Sequence, residues 1–464
     1  MKFLKSPLIL ALAVSGCSVL GPDYHRPASG VPAQYTEATD NQAAAVNREW
    51  WKLFRDPVLD ALVAEALTGN ADQSLAAARV EEADAVLRQT GAALFPEVDL
   101  GAGDVRSRSS ATDAVPLNTV PAVQEKLHLA AGTSFELDFW GKLRRASESA
   151  RASALASRYG RDTLALTLAG LVTQSYVGLR ALDAQVKVAT ATLETRASAL
   201  AIVQIRLASG LASELDLRQA EGAQAAAAAQ RVDLMQQRAL AEHQLALLVG
   251  RMDLKLAAGD LEHLPLPPRP PAGLPATLLE ARPDVRQAEA QLVAANARIG
   301  VARAALFPSI SLTGLLGGES AQLAGLLGAP SRIWSLGVGL NLPLFDAGRL
   351  DAQVDQVSAQ QKQALAAYQK AVQSAFKEVN DALVVLRRSA ERDTQLDAQV
   401  TAAARALKLA QARYQAGYSP YLEVLDSQRS LNDATLSLLR NRQARLAATV
   451  DLFLALGGGW REGA

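Results

Sequence analysis

Apolar residues recur at helical spacing over two long stretches of the chain. From Leu164 to Leu207 they follow mostly three- and four-residue steps, the heptad-like period of a helix that packs along a neighbouring helix. Long helices are predicted over residues 142–209 and 349–416, 68 residues each (209 − 142 + 1 and 416 − 349 + 1). At about 1.5 Å per residue, each would be about 100 Å long. The chain is therefore predicted to be mainly helical, with shorter helices over residues 57–91, 214–249, 278–306 and 420–456.

The period changes to two residues in four short segments. Leu127–Phe139 and Trp334–Leu344 alternate apolar with small or polar residues, which is typical of strands with one apolar face. Partner strands are predicted directly after Phe95-Pro96 and Phe307-Pro308, because proline ends a helix and favours extended geometry in the residue before it. The four strands are predicted at about residues 97–107, 123–139, 309–317 and 332–345.

The second half of the chain repeats landmarks of the first half. Gly210 and Gly417 are 207 residues apart (417 − 210), and the same offset relates Arg206 to Arg413, Leu215 to Leu422, Gly250 to Gly457 and Gly141 to Gly348. Because the landmarks keep their order, the sequence predicts two copies of one unit. The predicted boundaries are 57–263 for the first repeat, 264–275 for a proline-rich linker, 276–457 for the second repeat and 458–464 for a C-terminal tail.

The first residues have the pattern of a bacterial signal peptide. Lys2 and Lys5 precede an apolar run of roughly ten residues. Val14-Ser15-Gly16-Cys17 resembles a lipobox, in which the cysteine is lipidated, and Cys17 is the only cysteine of the chain. Residue 18 is a serine, whereas an aspartate there would retain a lipoprotein in the inner membrane. We predict a signal peptide over residues 1–16, a lipidated extended segment over 17–56, and location in the outer membrane of a Gram-negative bacterium.

Four strands per chain are too few for a membrane barrel. Open strand edges are not tolerated in lipid, and the smallest outer-membrane barrels have about eight strands. A dimer would supply eight strands and a trimer twelve; eight-stranded barrels fill their interior with side chains, whereas a conduit needs more. The strand count therefore predicts an oligomer.

Composition and charge argue against an enzyme or a nucleic-acid-binding protein. Lysine plus arginine equals aspartate plus glutamate, at 47 each, so no basic field is available to attract nucleic acid. The four histidines are dispersed and fall at no metal-ligand spacing. The glycine-rich segment Gly314–Ser320 lacks the lysine of a phosphate-binding loop. We predict no catalysis, no metal and no cofactor other than the covalent lipid on Cys17.

An ordered set of motifs resembles the TolC-like outer-membrane factor family, in its lipoprotein branch of OprM/NodT-type outer-membrane efflux lipoproteins. The motifs are Val14–Cys17, Gly21–Tyr24, Pro27, Trp50-Trp51, Phe54, Asp56-Pro57, Arg282–Asp284, Phe345–Gly348 and both Arg-x-x-x-Gly turns. The resemblance implies a homotrimer, with a twelve-stranded outer-membrane barrel continued by a long periplasmic helical barrel. It also implies a periplasmic adaptor (membrane fusion protein) and an inner-membrane pump of the resistance-nodulation-division type. The pump does the energy-dependent work, and the channel conducts drugs or other small toxic compounds.

The segments Arg206–Leu217 and Arg413–Val424 are predicted to be the tips of two helical hairpins. The glycine in each fits the left-handed residue that ends a helix. Ser213 fits an N-cap with Asp216 as its capping-box partner, and Ser419 fits an N-cap followed by Pro420 at the first helical position. These residues are enough to explain the two tips as turns with a structural role alone. The resemblance further implies that the tips dock the adaptor, through Arg206, Gly210, Leu211, Ser213, Arg413, Gly417, Tyr418 and Ser419.

Only the second copy carries charge on the helix face that follows its tip. In the second copy this face consists of Leu422, Asp426, Arg429 and Asp433. The equivalent positions of the first copy, 207 residues earlier, are leucine, glutamine, glycine and alanine. The charged face is either a solvated surface or a pore-facing one. Family members place an apolar ring, an aspartate ring, an arginine and a tyrosine in this region. The resemblance therefore implies a periplasmic gate, formed by Tyr414, Leu422, Asp426, Arg429 and Asp433.

Two further functions stay open on the sequence alone. The channel would equally suit the outer-membrane duct of a type I protein secretion system. A periplasmic coiled-coil adaptor without its own pore is another reading, although an adaptor has no need of strands that face lipid. The proline-rich segment Leu264–Pro275 is interpreted as an extended linker rather than a ligand of a proline-recognition domain.

Overall fold

The structure is a computed structural model of the 464-residue chain. It describes residues 19–28, 30–36, 46–108, 110, 123–270 and 278–462. Cys17 and the predicted signal peptide lie outside the described residues, as do residues 271–277 in the region of the predicted linker.

Helices make up most of the described chain. They are α1 (Pro57–Gly69), α2 (Ala71–Ala92), α3 (Lys142–Ala208), α4 (Glu214–Val249), α5 (Pro283–Ala304), α6 (Arg349–Gln415) and α7 (Tyr421–Ala455). The two long helices, α3 and α6, have 67 residues each. Within the described ranges, no helix combines the length and apolarity needed to cross a membrane. The expected mainly helical class is confirmed.

Four strands form one antiparallel sheet in chain order: β1 (Glu97–Arg108), β2 (Val123–Leu137), β3 (Ser309–Ser320) and β4 (Arg332–Asn341). Two strands end earlier than expected, for local reasons. After β2 the Asp138 carboxylate accepts the backbone N–H of Leu143 (3.0 Å) and so supports the start of α3. After β4, Pro343 has no N–H to donate to a neighbouring strand. The sheet therefore stops where the chain returns to helix.

Two predicted helices are each interrupted once, so their predicted extents were wrong. Residues 57–91 were expected as one helix, but Asn70 has extended geometry (φ −72°, ψ 134°). Its side-chain amide donates to the carbonyl of Leu248 (2.9 Å) and its Oδ1 accepts the N–H of Asp72 (2.8 Å). The helix expected over 278–306 is split into a single turn, Leu278–Ala281, and α5. The cause is Pro283, which biases the residue before it away from helical geometry.

The glycines within α3 do not interrupt it. Glycine has a low helix propensity, but α3 runs without a break through Gly160, Gly170 and Gly178. At Gly170 an added Cβ would lie 2.4 Å from Cδ1 of Leu454. The glycine therefore permits close packing of α7 on α3 instead of bending the helix.

Three glycine pairs at the repeat offset share left-handed backbone geometry, which L side chains rarely adopt. Their φ angles are 78° and 82° for Gly141 and Gly348, 70° and 77° for Gly210 and Gly417, and 79° and 84° for Gly250 and Gly457. The equal backbone geometry supports the duplication. The boundaries of the two repeats stay a prediction.

By spatial contact the chain divides into two compact units, each drawn from both halves of the sequence. One unit comprises the described parts of Met1–Pro27, Arg79–Ser157 and Gln287–Tyr368 and contains the sheet. In this unit the Trp140 indole N–H donates to the carbonyl of Pro308 (2.7 Å).

The other unit comprises the described parts of Ala28–Ala78, Arg158–Arg286 and Gln369–Ala464. Its apolar core surrounds a short 3₁₀ helix, Trp50–Phe54, whose first and last residues are fully buried. The ring of Trp50 stacks on that of Phe453, with centroids 5.3 Å apart. This unit also contains both hairpin tips and the candidate gate.

Candidate functional site

The first hairpin tip ends α3 with a Schellman turn. Gly210 has a φ of 70°, as predicted for the left-handed residue at the end of the helix. The N–H of Leu211 donates to the carbonyl of Arg206 (2.8 Å), and the N–H of Gly210 donates to that of Leu207 (3.0 Å). These two bonds satisfy carbonyls that the helix leaves without partners.

The second tip repeats this turn at α6. Gly417 has a φ of 77°, the N–H of Tyr418 donates to the carbonyl of Arg413 (2.9 Å), and the N–H of Gly417 donates to that of Tyr414 (3.1 Å). The left-handed geometry expected for both glycines is confirmed. The two arginines of the Arg-x-x-x-Gly turns thus supply equivalent backbone acceptors.

The helices that follow the two tips start differently. Ser213 caps α4 in a full capping box: its hydroxyl accepts the N–H of Asp216 (3.2 Å), and Asp216 accepts the N–H of Ser213 (3.0 Å). That prediction is confirmed. The prediction that Ser419 caps α7 was wrong, because the N-cap is Pro420, in extended geometry (φ −70°, ψ 159°), and the helix starts at Tyr421. The Ser419 hydroxyl is buried without a hydrogen-bond partner among the described residues.

The extreme end of each tip exposes one large side chain. Leu211 is 76% exposed and Tyr418 is 80% exposed. The two tip arginines point to different partners: the Arg413 guanidinium lies 3.7 Å from the Glu423 carboxylate, whereas that of Arg206 lies over the ring of Tyr414, 4.6 Å from its centroid. The docking candidates are thus brought to one end of the unit, but the two arginines are not equivalent.

The two hairpins pack together just behind their tips. A small apolar cluster joins them, with buried members Val203, Ala220, Ala410, Tyr421 and Val424. The ring of Tyr414 packs against this cluster, and its centroid lies 5.3 Å from that of Tyr421. Tyr414 therefore lies between the hairpins, held by an arginine on one side and a tyrosine on the other.

Four of the five gate candidates line one groove of about 320 Å³. Leu422 is 56% exposed, and the exposed Asp426 accepts from Arg429 Nη2 at 2.6 Å. The exposed Asp433 lines the same groove. The opposite wall is formed by small residues of α4, among them Ala223, Ala226 and Ala227. Tyr414 is not among the residues that line this groove, so the structure separates it from the other four.

Sequence reasoning missed Arg196, which also lines the groove. Its side chain is buried, with 8% of the residue exposed, and burial lowers the pKa of its guanidinium because burial disfavours the charged form. The same effect raises the pKa of the neighbouring Tyr421 phenol. One turn away, the Thr192 hydroxyl donates to Asn432 Oδ1 (3.2 Å). The signal that could have found Arg196 is its helical spacing from the apolar seam residues Leu193 and Leu200.

Within the described part of the chain, no group of three or more His, Cys, Asp or Glu side chains could hold a metal ion. The predicted lipid site, Cys17, is outside the described residues.

The sheet has one apolar and one polar face. The register places Leu336 opposite Gly314, Gly314 opposite Thr133, and Thr133 opposite Val98, so alternate residues of all four strands share a face. On β4 the apolar face is strongly exposed, with Trp334 at 73% and Leu336 at 82%. The reverse face carries mostly polar and small residues, among them Glu97, Asp99, Ser134, Glu136, Ser311, Thr313, Ser335, Gly337, Gly339 and Asn341, with Val105, Leu315 and Ile333 as large apolar exceptions. Such a sheet fits lipid on one side and water on the other.

A two-faced sheet of this kind, in one chain with long helical hairpins, defines an outer-membrane channel protein. Comparison with known protein families agrees: the family model described as outer membrane efflux protein matches residues 62–251 and 274–458, one match in each half of the chain. The chain belongs to the outer membrane efflux protein family.

Individual relatives match along nearly the whole chain. The cation efflux system protein CusC of Escherichia coli O6:H1 is 36% identical over 470 residues, covering 98% of each chain. The toluene efflux pump outer membrane protein TtgF of Pseudomonas putida is 37% identical over 468 residues, covering 98% of this chain and 96% of that one. The solved structure of the outer-membrane channel OprN superposes with a TM-score of 0.89 at 30% identity, covering 95% of this chain and 99% of that one.

These likenesses confirm three expectations from the sequence. The fold is that of outer-membrane efflux channels, the protein is an outer-membrane component of an efflux system, and its location is the outer membrane of a Gram-negative bacterium. The family consists of efflux channels and not of enzymes.

Proposed function

We propose that three copies of this chain form a passive, gated duct across the outer membrane, serving a periplasmic adaptor and an inner-membrane pump. The observation that carries this proposal is the sheet with open edges. In the described chain β1 pairs only with β2, and β4 pairs only with β3, so each has one open edge. The apolar face of the sheet is exposed. Unpaired edges are too costly in lipid, so the sheet needs neighbouring copies, and three copies give a twelve-stranded barrel wide enough to conduct.

The duct itself supplies no energy, since the family is one of channels. Energy then comes from a pump of the resistance-nodulation-division type in the inner membrane, and an adaptor connects the two. The relatives' names mention cations in one case and toluene in the other. The proposed cargo class is therefore small toxic compounds, selected by the pump. Lipidation of Cys17 adds a covalent anchor in the same membrane.

The exposed tips are the proposed adaptor-docking surface. Leu211 and Tyr418 project from the two turns and supply apolar area, with the polar groups of Ser213 and Arg413 beside them. Ser419, whose hydroxyl is buried, contributes to this surface through its backbone position in the turn. In a trimer the two kinds of tip would alternate around the axis. Each chain would then offer the adaptor two non-equivalent contacts.

The proposed gate is the charged face of α7. Leu422 is an exposed apolar side chain close to the tip, and one turn further the Asp426–Arg429 pair bridges i and i+3. Repeated three times around an axis, the leucines would form an apolar ring. The paired charges would then lower the mutual repulsion that unpaired aspartates would suffer. Tyr414, packed between the hairpins, would hold the second hairpin in place instead of lining the opening.

Planar-bilayer recording of the purified full chain tests the channel and the gate separately. We expect single-channel conductance from wild-type trimers, and a conductance about severalfold higher for the double variant Asp426→Ala/Arg429→Ala, because the substitutions remove the two long charged side chains that would narrow the opening. The matched control is Arg388→Ala/Glu391→Ala, another exposed i,i+3 ion pair (2.8 Å) on α6. Absence of conductance from a chain that is trimeric by native mass spectrometry would refute the duct. Equal conductance of the gate variant and wild type would refute the gate alone.

The duct of a protein secretion system would have the same architecture, and it is distinguished by its adaptor and pump. A soluble adaptor is disfavoured by the exposed apolar face of the sheet, which would be a costly feature in water.

A further inference from the structure

The groove between the hairpins contains a buried arginine with no ionic partner. Only 8% of Arg196 is exposed, and its Nη1 has no hydrogen-bond partner among the described residues. No described carboxylate lies within ion-pair distance of its guanidinium. A buried cation without a counter-charge is strongly disfavoured, so such a group usually has a carboxylate or a bound anion beside it.

The nearest titratable neighbour does not compensate this charge. The Tyr421 hydroxyl is buried beside the guanidinium, but it makes no hydrogen bond of ordinary geometry to the described residues. Burial raises the pKa of its phenol, which keeps Tyr421 neutral at physiological pH. A neutral hydroxyl can accept a hydrogen bond from a guanidinium, but it cannot balance the positive charge.

The groove beside Arg196 has room and donors for a small ligand. Its volume of about 320 Å³ is roughly ten times the volume that one water occupies in the liquid. Asn432 uses its Oδ1 to accept from Thr192, and this leaves its amide N–H₂ group as a donor. The Gln230 amide lines the same groove. The groove thus offers hydrogen-bond donors next to an unpaired positive charge.

The two carboxylates of the groove limit where an anion can lie. Asp426 is already paired with Arg429 at 2.6 Å, so its charge is largely offset. Asp433 has no such partner among the described residues and repels an anion nearby. The Arg196 side of the groove is therefore the part that suits an anion, and only a small one.

We propose that this groove binds a small oxyanion, a phosphate or carboxylate group, through the guanidinium of Arg196. The guanidinium carries planar, forked donors that match two oxygens of such a group. A metal cation is the wrong ligand, because Arg196 would repel it. The bound anion contacts residues of α3, α4 and α7 together and so favours the packed arrangement of the two hairpins. The site goes beyond the duct and gate proposals and does not depend on either.

Calorimetric titration of sodium phosphate into the detergent-solubilised full chain tests the site directly. Ionic strength is held constant, so that general screening does not contribute. We expect saturable binding of one phosphate per chain, weakened at least tenfold in Arg196→Gln. The matched control is Arg218→Gln, which removes an exposed arginine of α4 that pairs with Glu214 and Glu221. This control is expected to bind phosphate like wild type.

Further titrations distinguish recognition of an oxyanion from general attraction of negative charge. Acetate that competes with phosphate supports recognition of the shared oxyanion geometry, whereas equal competition by chloride overturns it. If Arg196→Gln does not assemble, phosphate binding is measured with Arg196→Lys instead. It keeps the charge but loses the fork, so weaker phosphate binding supports the site and unchanged binding overturns it. Absence of saturable binding to wild type overturns the proposal and indicates that a carboxylate from another copy of the chain balances Arg196.

Discussion

The guanidinium of Arg206 lies 4.6 Å from the ring centroid of Tyr414, so a residue of the first hairpin tip holds a residue of the second. The equivalent arginine of the second tip, Arg413, faces Glu423 instead. Two turns with the same backbone hydrogen bonds therefore use their arginine side chains differently. The first arginine connects the hairpins, and the second stays within its own.

Removal of this contact is expected to loosen the second tip. A partly exposed cation–π contact contributes about 0.5–1 kcal/mol. Arg206→Ala should therefore raise amide hydrogen exchange in residues 413–421 about two- to fivefold, as measured by mass spectrometry on the solubilised protein. Arg218→Ala, which removes an exposed arginine of α4 that pairs with Glu214 and Glu221, is the control. Unchanged exchange in the second tip of Arg206→Ala would contradict the role given to this contact.

The two tip serines are expected to respond in opposite ways to alanine. Ser213 closes a capping box, and the loss of such a cap costs about 1 kcal/mol. Ser213→Ala should therefore increase hydrogen exchange at the start of α4 about fivefold. Ser419→Ala removes a buried hydroxyl that has no partner in the described chain, so exchange at the start of α7 should stay the same or decrease. A loss of protection in Ser419→Ala as large as that in Ser213→Ala would show that Ser419 caps α7 after all.

Local chemistry made much of this fold predictable from the sequence. The signals that predicted the strands, tips and long helices each act over a few residues. They are proline after phenylalanine, glycine at the turns, and the change in the spacing of apolar residues from about 3.5 to two. The break before Pro283 also has a local cause, whereas two other misses depend on groups far away in sequence. The break at Asn70 is stabilised by Leu248, and the close contact that Gly170 permits is with Leu454.

The candidate site was predictable to a similar degree. The charged face of α7 follows from helical spacing alone, since i, i+4, i+7 and i+11 share a face. Helical spacing could have placed Arg196 on the apolar seam of α3, but it could not show that the side chain lies beside Tyr421 of α7, more than 200 residues further along the chain. Tyr414 matched a position in the family, but spacing could not show that it packs between the hairpins.

Two neighbouring residues of β4 offer the sharpest test of the sheet. Leu336 is on the apolar face and 82% exposed, whereas Ser335 is on the polar face. If the apolar face contacts lipid, Leu336→Arg should cost about 2–4 kcal/mol near the bilayer midplane, and Ser335→Arg much less, because it points to water. The measurement is the yield of heat-modifiable oligomer in outer-membrane fractions, compared at equal expression. Equal yields of the two variants would contradict the assignment of lipid and water to the two faces, since both introduce arginine at adjacent positions that point to opposite faces.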